Sequence, residues 1–446
     1  MTAKTKPTIL IVVGITGDLS HRKLLPAIEQ IVKAQAAPEK FEVVGISRRD
    51  VTAAEVLKGS MAEVQKGFLS KHLNMFQMDL SNPADYNRLK DYLKELEVQM
   101  GAPAQRLFYL SVPPQISEPI IRCLGEVGLA ESSDTKLLLE KPFGTDLTSA
   151  QELITQTRKY FKEEQIYRID HYLAKDMAQN LVVFRGGNSL FKRTWNKDFI
   201  ERIQVVASEA IDIEGRTTFY EQTGALRDVV QSHLLQLAAL TLMQSPEVGQ
   251  VSEVPKHRLA ALKQLQLPAG QPITNSVKRA QYKGYQRDVN NPDSRTETFV
   301  SLTLESQDPA WAGVPIQLIT GKSLKEKLTE IRITYKKEQQ FEANELVIKF
   351  QPHEEIELCL WIKVPGYEWR VERHFLQLEF NEQFGEIREA YEQVLLDAIV
   401  GNHTFFTSSE EVLETWRILQ PILSAWSMQD QDLQLYPPGT DYQELM

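Results

Sequence analysis

Over its first 170 residues this chain alternates between two hydrophobic periods, and that alternation restricts the fold more than any other feature. Short apolar and β-branched runs at Thr8–Val13, Phe41–Ile46, Met75–Gln77, Leu107–Val112, Lys136–Glu140 and Ile166–Ile169 read as strands. Helical patterns lie between them at Leu24–Ala36, Thr52–Gln65, Tyr86–Gln99, Ile116–Gly125 and Thr148–Phe161. Strands that alternate with helices predict βαβ units and a doubly wound parallel sheet of the α/β class.

After residue 170 the pattern changes. Helices near 174–184 and 226–244 mix with a strand at Ile203–Ala207. From about 297 strands follow one another: Thr298–Leu304, Ile316–Thr320, Ile331–Tyr335, Leu346–Phe350, Ile356–Ile362 and Leu376–Phe380. Helices at about 387–399 and 408–427 close the chain, and 268–295, with Pro268, Pro272, Gly284 and Pro292, reads as a long loop. A run of strands with helices kept apart predicts an α+β domain with a large, mainly antiparallel sheet. At 446 residues there is room for two such domains, placed at 1–170 and 171–446.

The formal net charge is −10, which argues against nucleic-acid binding and requires any anionic substrate to be held by a local basic pocket. No run approaches the length of a membrane span. The first strand follows the N-terminus closely, which fits a domain start better than a signal peptide. Cys123 and Cys359 are the only cysteines, too few for a disulfide framework. A reducing cytoplasm is the simplest expectation.

Gly14-Ile15-Thr16-Gly17-Asp18-Leu19-Ser20 lies between the first strand and the first helix. Glycine lets backbone approach a pyrophosphate, and the helix start offers free N–H groups. The spacing is G-x-x-G, short of the full dinucleotide fingerprint, but its place at the first βα junction points to a Rossmann-type coenzyme loop. The second strand ends in Arg48-Arg49, where NAD-specific folds carry an acidic residue. Arginine forks match a 2′-phosphate, so NADP is favoured, while Asp50 leaves room for some NAD use.

Arg168-Ile169-Asp170-His171-Tyr172-Leu173-Ala174-Lys175 packs two cations, a carboxylate, an imidazole and a phenol into eight residues. Such a set suits a phosphorylated, hydroxyl-rich ligand; the bland reading is a strand end with chance charges. In Arg227-Asp228-Val229-Val230-Gln231-Ser232-His233, Asp228 and His233 stand five apart. On an α-helix that spacing aims them in different directions. His233 is a general base only if another segment supplies its orienting carboxylate, and Asp170 is the candidate.

With these residues in view, the chain resembles glucose-6-phosphate dehydrogenases along its whole length. The resemblance rests on Gly14–Leu19 with Arg22-Lys23-Leu24, Leu107–Pro114, Glu140-Lys141-Pro142-Phe143-Gly144, Arg168–Leu173 and Arg227–Gln236. Gly313–Ile316 with Thr320–Leu324, Asn344–Ile348 and Trp416–Pro421 add support. It implies oxidation of glucose 6-phosphate at C1 with hydride transfer to NADP, giving the phosphogluconolactone of the pentose phosphate pathway. By position it makes His233 the base, Asp170 its orienting partner, and His171, Tyr172 and Lys175 the phosphate ligands. Glu209, Asp228, Lys322, Lys327 and Gln351 contact the sugar or its phosphate. Gly14, Ile15, Thr16, Gly17, Asp18, Leu19, Arg48, Arg49 and Asp79 serve the coenzyme, and Lys141 serves both ligands and catalysis. Proton removal by a near-neutral base calls for no metal, and no ligand-spaced cluster appears in the sequence. The resemblance also implies a homodimer or homotetramer through the large sheet.

The chain departs from that family at Ala174 (usually Gly), Asp176 (usually Glu) and Ser232 (usually Asn). It ends soon after Tyr436–Gly439, which speaks against a second, structural NADP site. Two other functions compete: a dehydrogenase for another hexose 6-phosphate or free glucose, and a catalytically silent sugar-phosphate sensor.

Overall fold

The computed structural model describes residues 6–58, 62–247, 249–338, 341–385, 387–428 and 433–446. It contains two compact units, one of Met1–Gly144, Thr148–Ala174 and Arg388–Ser409, the other of Thr145–Leu147, Lys175–Ile387 and Glu410–Met446. This differs from a division into 1–170 and 171–446. The reason is the helix Ala390–Val400: its Val394, Leu395, Ala398 and Ile399 are buried in the core of the first unit. Its last carbonyls are held there too, by the Gln105 amide on Ile399 and the Lys136 ammonium on Ala398 and Ile399.

The first unit is a six-stranded parallel sheet of β1 (Thr8–Val13), β2 (Phe41–Ser47), β3 (Leu73–Gln77), β4 (Gln105–Leu110), β5 (Thr135–Leu139) and β6 (Ile166–Arg168). Its order is β3-β2-β1-β4-β5-β6, the doubly wound arrangement, with the reversal of direction between β1 and β4. The central strands are buried on both faces, which explains their unbroken apolar runs. Helices enter and leave by familiar chemistry. Asn82 accepts the Ala84 N–H ahead of Pro83–Met100, and Gly101 leaves that helix at φ 66°.

The second unit carries a ten-stranded mixed sheet. Its strands are β7 (Ile200–Ser208), β8 (Leu265–Gln266), β9 (Val277–Tyr282), β10 (Phe299–Ser306), β11 (Ile316–Gly321), β12 (Leu328–Tyr335), β13 (Glu345–Gln351), β14 (Glu355–Lys363), β15 (Val371–Glu379) and β16 (Leu433–Tyr436). They run in the order β15-β14-β13-β12-β7-β11-β10-β9-β16, with β8 beside β10. Pairing is antiparallel except at β7–β11 and β9–β16. The expected loop at 268–295 is therefore wrong in its middle. Lys278, Arg279 and Gln281 hide β9 in the sequence, yet Gln281 is buried and donates to the Ser294 and Thr296 carbonyls, and Arg279 lies 4.8 Å from the Trp426 ring centre.

Candidate active site

In the first unit, β1 ends at Gly14, whose φ of 88° and whose contacts both demand glycine: a Cβ there would lie 2.3 Å from the Ser111 carbonyl oxygen. The Gly17 N–H closes the turn on the Gly14 carbonyl at 2.9 Å. Past this turn the chain enters a π-helical stretch, Ser20–Leu24, before the α-helix Leu25–Lys33. The turn, the end of β2 and the segment after β4 enclose a groove of about 260 Å³ lined by Gly14, Thr16, Gly17, Ser47, Arg48, Leu80, Ser111, Val112, Pro113 and Ile116. It opens at the switch point between β1 and β4, where doubly wound sheets bind nucleotides.

Of the expected coenzyme residues, Gly14, Thr16, Gly17 and Arg48 line this groove. Ile15 does not: its side chain is fully buried against Gly45, so only its backbone is available. Asp18 pairs with Arg22 at 3.4 Å, both exposed. Asp79 accepts from the Ser81 N–H and hydroxyl, which lower its pKa, with Arg48 adding to the same direction. Leu19 packs against the core, and Arg49 is exposed. Sequence reasoning assigned no role to Ser47 or to Ser111-Val112-Pro113. Their signal was positional, since the loop after β4 faces the loop after β1 across the switch point.

Also in the first unit, Lys141 follows Glu140 at the end of β5, with a cis Lys141–Pro142 peptide. Glu140 accepts hydrogen bonds from the buried phenols of Tyr109 and Tyr391. Burial pushes its carboxyl up to about 6 against the pull of these donors and of Lys141, and nearby Asp170 adds to the rise. Asp170 is buried; one carboxylate oxygen accepts the Tyr172 N–H at 2.9 Å and its carbonyl accepts the Leu173 N–H at 3.1 Å. That turn sets His171 and Tyr172 side by side, ring centres 4.8 Å apart, with His171 stacked 6.4 Å from Tyr391. Arg168 is different. It is buried and donates to Glu163 at 2.8 Å, so the first cation of the motif serves the fold.

In the second unit, Lys175 precedes the helix Asp176–Gly187 in an extended conformation, and its ammonium reaches the Phe350 carbonyl at 3.4 Å. The preceding Ala174 thus lies before the helix and not in its first turn. It is buried in the core of the first unit, and it is not among the residues with positive φ. Gln351 ends β13 next to Phe350, its amide oxygen 3.5 Å from the Thr329 hydroxyl. Lys322 is buried and ion-paired with Glu209, and its ammonium lies 5.4 Å from the Tyr220 ring centre. Asp228 and Glu209 both raise the pKa of this buried Tyr220, after burial itself, so Glu209, Asp228 and Lys322 share one neighbourhood. Lys327 is exposed.

His233 and Asp228 lie on a nine-residue π-helix, Leu226–Leu234. Gly224, at φ 64°, makes the bend before it; a Cβ there would meet the Glu297 carboxylate, which accepts the Leu226 N–H at 3.0 Å. The π-helix corrects the reading of the five-residue spacing. Its hydrogen bonds run from i to i+5, so Asp228 and His233 sit one turn apart, and both are buried.

Residues 11–180 match the sequence model of the glucose-6-phosphate dehydrogenase NAD binding domain, and residues 182–444 that of the glucose-6-phosphate dehydrogenase C-terminal domain. The chain belongs to the glucose-6-phosphate dehydrogenase family. It is 35% identical to glucose-6-phosphate 1-dehydrogenase of Chlamydia muridarum, over 94% of this chain and 90% of that protein. To the Bacillus subtilis enzyme of the same name it is 34% identical, over 94% and 91%. A solved structure of a glucose-6-phosphate dehydrogenase in complex with its substrate glucose-6-phosphate superposes with a TM-score of 0.90 at 30% identity, covering 99% of this chain and 96% of that one. The family's NAD-binding region is thus the unit with the switch-point groove, and no helix among the described residues is long and apolar enough to cross a membrane.

Proposed function

We propose that this chain oxidises D-glucose 6-phosphate at C1 to 6-phospho-D-glucono-1,5-lactone with NADP as acceptor. What supports this most is that the matched family regions follow one another along the chain, and that the sequence carries Lys141, Asp170, His171, Lys175 and His233 within them. A silent sensor has no use for the proton-transfer pair, and free glucose has none for Lys175.

The residues present fit a dinucleotide. A side chain at Gly14 would fill the cradle beside Ser111, and Ser47 and Arg48 border the groove where a ribose 2′-phosphate would lie. Bound NADP supplies the hydride acceptor. The backbone of Gly14–Gly17 holds its pyrophosphate and Arg48 selects its 2′-phosphate. Lys175, His171 and Tyr172 hold the sugar phosphate, and Glu209, Asp228, Lys322 and Gln351 orient the hydroxyls. His233 takes the C1 hydroxyl proton as C1 is oxidised, and Asp170 stabilises the imidazolium that forms. Lys141 orients the reacting end.

The exposed apolar residues of the outer strands, Ile362, Phe375, Leu376 and Leu378, support association with a second copy. The enzyme is proposed to act in the cytoplasm.

Purified protein is mixed with glucose 6-phosphate and NADP, and NADPH absorbance is followed, with NAD, free glucose and other hexose 6-phosphates as separate arms. NADPH formed on glucose 6-phosphate alone supports the reading. Equal rates on another hexose phosphate would shift the substrate, and no reduction in any arm would leave a sensor.

A further inference from the structure

The helix Thr217–Ala225 is broken at Gly224, φ 64° and ψ −179°, just before the π-helix Leu226–Leu234. A helix start leaves several N–H groups without partners inside the helix. At this bend one residue takes two of them. The Glu297 carbonyl accepts the Ala225 N–H at 3.0 Å, and the buried Glu297 carboxylate accepts the Leu226 N–H at 3.0 Å. The fit is close, since a Cβ on Gly224 would lie 2.4 Å from a carboxylate oxygen.

Glu297 is itself held from the sheet. On one side the Thr296 hydroxyl donates to the Glu221 carbonyl of the preceding helix at 3.0 Å. On the other, the Thr298 N–H donates to the Ala280 carbonyl of β9 at 2.9 Å, and the Thr298 carbonyl accepts the Lys322 N–H at 2.9 Å. Residues 296–298 thus anchor both Lys322 and the start of the helix that carries Asp228 and His233. The phase of that helix decides where its side chains leave. With bonds from i to i+5, Asp228 and His233 sit one turn apart. At 3.6 residues per turn the same five residues would turn through about 500°, leaving the two about 140° apart.

We propose that Glu297 is a positioning residue of the oxidation: its hydrogen bonds to Ala225 and Leu226 set the phase of the π-helix, and so the place from which His233 takes the C1 hydroxyl proton. This rests on His233 being the base. The oxygen that accepts the Leu226 N–H is what matters, and its charge is not.

Two variants separate reach from charge. Glu297→Gln keeps an acceptor oxygen at the same distance and loses the charge; Glu297→Asp keeps the charge and is one methylene short. Steady-state kinetics with glucose 6-phosphate and NADP should give Glu297→Gln a kcat close to the natural value. Glu297→Asp should lose roughly 10²-fold in kcat, the cost of a reacting group displaced by about 1 Å. Dissociation constants for both ligands should change little, because the proposed phosphate ligands lie on other segments. Natural kcat in both variants, whatever happens to their melting temperatures, would make Glu297 merely structural and overturn the proposal. So would a Glu297→Gln as damaged as Glu297→Asp, which would make the charge decisive. His233→Ala distinguishes failure of the underlying reading: if it leaves turnover intact, His233 is not the base and both fall together. If His233→Ala abolishes turnover while Glu297→Asp does not, this proposal falls alone. If Glu297→Asp does not fold, Glu297→Gln still decides by its kcat, together with amide exchange in the natural protein. Protection of the Ala225 and Leu226 N–H groups to the level of β10 is expected, and rapid exchange of either would overturn the proposal.

Discussion

Glu163 holds the β6 edge of the six-stranded sheet, and its replacement by Gln should reveal how. Its carboxylate accepts from the buried Arg168 at 2.8 Å, from the Ser409 N–H at 2.8 Å and from the Ser409 hydroxyl at 2.6 Å, so one side chain ties β6 to the returning segment. Arg168 also bridges to Thr407 through its backbone. These partners hold the carboxyl at about 2, against an ordinary value of 4.5, although burial alone would raise it. At about 1.4 kcal/mol for each tenfold change in the equilibrium, that difference corresponds to roughly 3 kcal/mol. The Glu163 side chain is 33% exposed, and screening reduces the figure to about 2 kcal/mol.

The sign is that of a depressed acid. Its stabilisation is fully present above about pH 4.5 and is lost as pH falls through the folded value near 2. Linkage removes about a quarter of it by pH 4 and more than half by pH 3. Glu163→Gln should therefore cost about 2 kcal/mol at pH 7 and only about half as much near pH 3. All six tryptophans belong to the second unit, so their fluorescence does not report on this one. Amide hydrogen exchange of peptides covering β5 and β6 does. A loss of protection below about 0.5 kcal/mol, or one that does not change with pH, would refute the argument and return Arg168 to the ligand-binding set.

Three further outcomes are expected. His233→Ala should lower turnover by roughly 10²–10⁴ with little change in substrate affinity; steady-state kinetics within a few fold of the natural protein would make His233 structural. Arg48→Ala should weaken NADP by about 10- to 150-fold and NAD far less, measured as a pair of dissociation constants, because only NADP offers a charge-assisted partner. Ala174→Gly should lower stability by about 1 kcal/mol by removing a buried methyl and adding backbone freedom, with the Michaelis constant unchanged. Tighter substrate binding in that variant would mean that the alanine strains the turn.

The parts of the fold that were legible share one property: their apolar pattern is imposed by burial within the element itself. Strands β1, β4 and β5 lie between two layers and show it as uninterrupted runs. Strand β9 is hidden because its polar side chains find partners only after folding, as Gln281 does on the Ser294 carbonyl. The return of Ala390–Val400 to the first unit is a tertiary choice with no local trace. The π-helix at Leu226–Leu234 escapes any reading that assumes 3.6 residues per turn. The candidate site was legible as residue types but not as partnerships, and Arg168 shows the consequence: a cation in the right motif, buried and already engaged by Glu163.

Partnership also divides the candidate lysines by role. Lys322 is 3% exposed and paired with Glu209, so its charge is largely offset before any ligand arrives, and in the proposed reaction it holds an acceptor, the Glu209 carboxylate, in place. Lys141 stands beside Glu140, whose charge is stabilised by two phenols and raised only to about 6, so at neutral pH that carboxylate remains mostly ionised. Lys175 donates to the Phe350 carbonyl at 3.4 Å, and its charge opposes the rise of the partly buried Glu354 carboxyl, which burial pushes up to about 7. In the proposed reaction Lys175 is a phosphate ligand, so Lys175→Ala should raise the Michaelis constant for glucose 6-phosphate strongly and leave any weak activity on free glucose almost unchanged; comparable damage on both sugars would place Lys175 in the fold instead.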